Sequence, residues 1–305
     1  LILNSGGTIS GSGTLQTQGS GVSINIRFGS SFNAPLKVNT GTAAFYNTDY
    51  PNPAIFNGTI TVDAGATFIV TVGGYFVRAN NTVTNNGIID GVSSTFIMKG
   101  SSLINNDTIR TTYFELDTAT SLTGTGVYRS AYITVGSSGN ITLASNINFS
   151  PANDLTVNGG GVINPNTKIL YFNSGTFKLN SGATVSNSGT FRTQNTVSLD
   201  IKSGSNFNVP LNVNSGVTTT YDESPPYNAI FKGTITVDIG ATLHVGDGGF
   251  YTQANNNVTV NGSITGSSST FYMRGASLTN NGSISVSAFE FDSTTSATGT
   301  GSYTS

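Results

Sequence analysis

Displaced by 175 positions, the sequence lies on itself. Ala54-Ile55-Phe56-Asn57-Gly58-Thr59-Ile60-Thr61-Val62-Asp63 falls on Ala229-Ile230-Phe231-Lys232-Gly233-Thr234-Ile235-Thr236-Val237-Asp238, and the match runs without a gap from Ala54 to Tyr128, with 45 of 75 positions identical. Self-similarity at a fixed period describes an array whose units stack on one another, and points away from a single enzyme pocket. Upstream the register is one position longer, with Ser12 to Gln18 on Ser188 to Gln194, until a single deletion before Val197 restores it. The first copy occupies residues 1–175 and the second 176–305. Lys168-Ile169-Leu170-Tyr171-Phe172 runs into Asn173-Ser174-Gly175-Thr176-Phe177 with no charged or proline-rich linker, which suits continuous stacking. Residues matching Arg129 to Phe172 do not follow Ser305, so the expectation is a segment of a longer array, for which a missing leader carries no information.

A shorter period sits inside each copy. Asn86-Gly87-Ile88, Asn106-Asp107-Thr108-Ile109 and Thr125-Gly126-Val127 recur at steps of 20 and 19, and Gly262, Gly282 and Gly301 repeat the pattern. Between these turn signals lie short alternating stretches such as Thr59-Ile60-Thr61-Val62-Asp63 and Phe114-Glu115-Leu116-Asp117. Alternation over four to six residues, bounded by Gly and Asn and rich in β-branched types, reads as strand. No stretch carries a helical period. A coil of about 20 residues cannot bury its own apolar face, so coils must stack about 4.8 Å apart. The predicted fold is all-β, a parallel β-helix (β-solenoid) of about 15 coils, on the order of 70 Å long. Ile60, Val62, Phe96, Met98, Phe114 and Leu116 are expected inside, and Thr61, Thr95, Ile97 and Glu115 outside. Corner Asn and Gly supply left-handed backbone angles, and repeated Asn is placed to stack as amide ladders. The competing architecture, tandem β-sandwiches, needs longer strands and commonly a buried Trp; the chain has none.

Composition narrows the function classes. Charged residues make up 9% of the chain, against about 25% in ordinary soluble domains, so the surface must consist largely of hydroxyls, amides and backbone. Net charge is −2, and the 12 Lys and Arg are scattered singly, leaving no basic stripe for nucleic acid. Cysteine is absent, which excludes disulfide and thiol chemistry. No run of about 18 apolar residues is present to span a membrane.

The most irregular segment is Thr42 to Pro53, with Phe45, Tyr46, Tyr50, Pro51 and Pro53; its counterpart, Val217 to Asn228, carries Tyr221, Asp222, Glu223, Pro225, Pro226 and Tyr227. Proline cannot donate to a ladder, so both read as loops protruding between coils. Tyrosine beside proline there would stack on a sugar or pack on a neighbouring chain; the structural alternative is a loop folded over the flank. Glu115 and Asp117, matched by Glu290 and Asp292, alternate with apolar residues and face outward about 7 Å apart. Such a pair suits Ca²⁺ or a glycosidase acid and base, whereas a solvated acidic face requires no ligand. His244, the single histidine, has Ile69 at the matching place, so a general-base role would vanish between equivalent copies. No Ser-His-Asp set, paired-His metal spacing or phosphate-cradling glycine loop can be assembled. Thr59/Thr61, Thr82/Thr84 and Thr234/Thr236 raise an ice-binding reading, but along the sequence these pairs are intermittent.

Runs such as Asn57-Gly58-Thr59-Ile60-Thr61-Val62-Asp63-Ala64-Gly65-Ala66-Thr67 and Ser181-Gly182-Ala183-Thr184-Val185-Ser186-Asn187-Ser188-Gly189-Thr190 resemble the repeats of very large bacterial surface adhesins, of the filamentous-haemagglutinin type or the gliding-adhesin type of the Bacteroidetes. The resemblance implies a right-handed parallel β-helix, secreted and displayed at the cell surface as a fibre that contacts other cells or surfaces. The function expected is therefore a non-enzymatic structural or adhesive shaft, its partners further copies of the chain and a glycan or protein of the target cell, with no cofactor. A polysaccharide-cleaving β-helix is the alternative, and an ice-binding solenoid the third.

Overall fold

The computed structural model describes residues 1–49, 51–71, 73–186, 188–224, 228–291 and 294–305. Among them every regular element is a strand and there is no helix. Every strand pairing with a stated direction is parallel, which the tandem-sandwich alternative does not allow. Packing divides the chain into two compact units, Leu1–Ala152 and Asn153–Ser305.

In the first unit each coil has three strands, one per side. The first side stacks Val22–Ile26, Thr42–Tyr46, Thr67–Val70 and the opening residues of Ile88–Met98 and Thr108–Leu116. The second stacks Ala54–Phe56, Phe76–Ala79, the closing halves of those two long strands, and Tyr132–Val135. The third runs through Leu36–Val38, Ile60–Val62, Val83–Asn85, Ser102–Asn105, Ala119–Thr123 and Asn140–Leu143. The advance per coil ranges from 18 residues (Thr95 to Tyr113) to 25 (Thr42 to Thr67). The second unit repeats both limits, from Thr270 to Ala288 and from Val217 to Thr242.

Alternation places the apolar residues where expected. Ile60, Val62, Phe96, Met98, Phe114 and Leu116 are all buried, and each such side chain contributes about 1.5–3 kcal/mol. Aromatic rings stack from coil to coil at the centre, with Phe45 on Phe68 at 4.0 Å and Phe114 on Tyr128 at 5.7 Å. In the second unit Phe191, Phe207 and Phe231 form the equivalent column. Thr95 departs from the expectation in exposure, not in direction: it stands in register with Phe76 and Tyr113 of the adjoining coils, in the outward row, yet is buried between them. Between Gly91 and Thr95 the register shifts as Ile88–Met98 turns a corner, where Ser93 adopts φ 55°.

Polar groups continue the ladders outside the core. Asn80 donates its side-chain amide to Asn57, and Asn57 to Asn33, both at 2.8 Å. Asn106 donates to Asn86 at 2.7 Å, and the buried Asn85 to Asn105 at 2.8 Å. Ion pairs also bridge successive coils, Lys37 to Asp63 at 2.9 Å and Lys178 to Asp154 at 2.8 Å. Gly58 marks one of the closest backbone approaches. A Cβ there would overlap the Ala34 carbonyl of the preceding coil, as one at Gly233 would overlap Val209.

Candidate functional site

The irregular segment is shorter than the sequence suggests. Thr42–Tyr46 is a strand, and Phe45 points inward with no exposure, stacked on Phe68. Its place in the core corrects the expectation that it is a contact residue. Tyr46 is half-buried against Tyr75, ring centroids 5.9 Å apart, and Tyr221 rests on Phe250 at the same distance. The loop proper begins at Asn47, whose buried side chain donates to the Pro53 carbonyl at 3.2 Å and accepts the Asp49 amide at 2.8 Å. Pro51 is exposed at its crest. Tyr50, Pro225, Pro226, Tyr227 and Asp292 lie outside the described residues.

The two loops share one anchoring geometry but not one charge. In the first copy the Thr48 amide donates to Asn25 Oδ1 at 3.3 Å; in the second, the Glu223 amide donates to Asp200 Oδ1 at 3.4 Å. Asn47 is replaced by Asp222, which accepts the Ser224 amide at 2.9 Å and the Ser203 amide at 2.7 Å. Lys202 stands 3.0 Å from Asp200, 3.5 Å from Glu223 and 3.9 Å from Asp222. Burial pushes the Asp200 carboxyl above its ordinary pKa, against the opposing pull of Lys202. Beside the first loop, Phe28 is 61% exposed and lines a shallow hollow with Pro53 and Ile55. Comparison of the two copies does not reveal it, because its counterpart is Ser203.

Glu115 and Asp117 do face outward, each half-buried. Burial first, then the neighbouring Asp117, raises the Glu115 pKa. Asp117 is engaged by Lys99 at 2.8 Å. Glu290 is exposed. Among the described residues, no three His, Asp or Glu side chains gather in one place. His244 is held by two partners, Thr265 Oγ1 at 3.1 Å from Nδ1 and Asp247 at 3.5 Å from Nε2.

One arrangement is invisible along the sequence and plain in register. In the second unit Thr176, Ser198, Thr219, His244, Thr265, Ser285 and Thr304 succeed one another coil by coil in a single outward column. Thr242, Ser263, Ser283 and Ser302 form a second column beside it. A search for Thr-x-Thr misses both, because serine fills half the places and coil length varies. Aligning the outward positions of successive coils would have found them. No protein family, curated protein or solved structure matches the chain.

Proposed function

We propose that this chain is a shaft segment of an extracellular bacterial surface fibre, serving attachment to cells or surfaces, with further copies of the chain as lateral partners. The observation that supports it most is the unbroken parallel pairing within each unit, reinforced by amide ladders and coil-to-coil ion pairs. Such a body is stiff and repetitive, and offers many weak contacts whose sum grows with copy number. Its scarcity of charge lets similar chains lie side by side with little repulsion. The resemblance to large surface adhesins agrees with this reading, and the target is a surface glycan or protein.

A polysaccharide-cleaving role is the second reading, favoured by one observation: Glu115 holds its proton more tightly than an ordinary carboxyl and stands beside Asp117. The test uses beads coated with the purified chain. Retention on cells or immobilised glycans, rising steeply with coating density, is the expected result. Turnover of a polysaccharide by the chain, abolished by Glu115→Ala with Asp117→Ala, would overturn the proposal in favour of the enzyme.

A further inference from the structure

We infer that the hydroxyl-lined side of the second unit is an ice-binding surface. Over its last three coils both outward columns carry only hydroxyls: Ser263 and Thr265, Ser283 and Ser285, Ser302 and Thr304. The six stand on a rectangular grid, about 4.8 Å between coils and about 7 Å along each strand. All are half or fully exposed. Ladder bonds fix each strand to its neighbours, as in Ser263 N to Ala241 O at 3.0 Å and Ser283 N to Gly262 O at 3.0 Å, so the grid is held before any ligand arrives.

The fold does not call for these hydroxyls. The matching places in the first copy hold Ile88 and Asp90, Thr108 and Arg110, Val127 and Arg129, while the inward residues between them, Ile89 and Ile109, are retained as Ile264 and Ile284. In that copy the same positions form an Asp90–Arg110 ion pair at 3.0 Å. One interior thus supports two exteriors, and the second has exchanged every charge on this grid for a hydroxyl.

Ordered water is the ligand that such a grid suits. Each hydroxyl contact with water is weak, so affinity requires many of them, equally spaced and rigid before binding. Charged groups would keep their own hydration shells and interrupt the lattice, and none stands in these three coils of the two columns. Threonine methyls at Thr265 and Thr304 add small apolar contacts to the hydroxyls. A solid polysaccharide is the competing occupant, but sugar rings are held largely by stacking on aromatic faces, and neither column carries an aromatic ring over this stretch.

The test is ice faceting, thermal hysteresis and recrystallisation inhibition by the 305-residue chain. It is compared with Thr265→Asp/Ser285→Arg, which installs the pair that the first copy already accommodates, and with Ser285→Arg alone. Wild-type chain should facet ice. The double variant should lose about ten-fold in recrystallisation inhibition with unchanged circular dichroism and melting, and the single variant should lose less. Unfaceted ice with wild type, or equal inhibition by all three proteins, would overturn the assignment. Adsorption to cellulose or chitin without any effect on ice would overturn it too, in favour of the polysaccharide.

Discussion

Replacing Gly58 by alanine tests the stacking geometry at one of its tightest points. A Cβ there would overlap the Ala34 carbonyl and stand 2.9 Å from the Pro35 nitrogen, both backbone atoms of the preceding coil. Neither can rotate away, so the coils must part. Relieving the Pro35 contact alone takes about 0.5 Å, since unstrained carbon contacts lie near 3.5 Å, and the carbonyl demands more. Two ladder bonds straddle the site, Asn57 N to Phe32 O and Leu36 N to Thr59 O, each 2.8 Å. Losing both costs about 2 kcal/mol, and overpacking adds about 1–3 kcal/mol, for a local loss of about 3–5 kcal/mol. Hydrogen exchange at the Asn57 and Leu36 amides should therefore quicken more than about a hundredfold. The second unit supplies the reference: Lys232 N to Phe207 O at 2.9 Å and Leu211 N to Thr234 O at 2.8 Å should keep their protection. Gly233→Ala should reverse the outcome. Unchanged protection at Asn57 and Leu36 would refute the stacking argument.

Phe114→Ala empties a fully buried site between Phe96 and Tyr128 and should cost about 3–5 kcal/mol, read from urea unfolding of the first unit. Asn105→Ala removes the acceptor that Asn85 reaches at 2.8 Å in a buried position; one amide hydrogen of Asn85 then loses its partner while the other stays on the Thr108 carbonyl at 3.1 Å, and the loss should cost about 1–3 kcal/mol by the same measurement. Asp200 carries a pH signature. Its folded-state pKa is raised by burial, so its stabilising contribution is complete below about pH 3.9, the ordinary carboxyl value, and is lost as pH rises through the raised value. Asp200→Asn, the residue type that Asn25 already supplies in the first copy, should flatten that part of the urea-midpoint profile and raise the midpoint at neutral pH.

Much of this architecture could be read from the chain alone, because stacking enforces period on sequence. The corner Gly and Asn residues gave the coil length, and alternation sorted Ile60, Val62, Phe114 and Leu116 inward. Alternation gives the direction of a side chain but not how far its neighbours cover it. Thr95 keeps its outward place but is buried between Phe76 and Tyr113 of the adjoining coils, neighbours that the local pattern does not reveal. Phe45 was misjudged for another reason: the prolines that follow it suggested a loop, yet the strand persists to Tyr46 before the chain turns at Asn47. The hydroxyl columns were hidden because neighbours across a coil are 19 to 25 residues apart in the sequence. No linear motif of a few residues can report such a neighbourhood. Phe28 was missed since exposure of a single aromatic depends on which corner it occupies.

The ladders also determine how either unit would yield under tension. Every coil is bonded to neighbours one turn away, as Val22–Ile26 is to Thr42–Tyr46, where Val22 meets Ala43 after 21 residues. A terminal coil therefore detaches by breaking its own three ladders while the interior ones stay intact. Stretched from an end, a unit would release its length in instalments of one turn, each of about 21 residues and about 70 Å of extended chain. Between instalments the remainder keeps its packing, so an overloaded unit of this kind lengthens in steps and absorbs work at each one before it unravels.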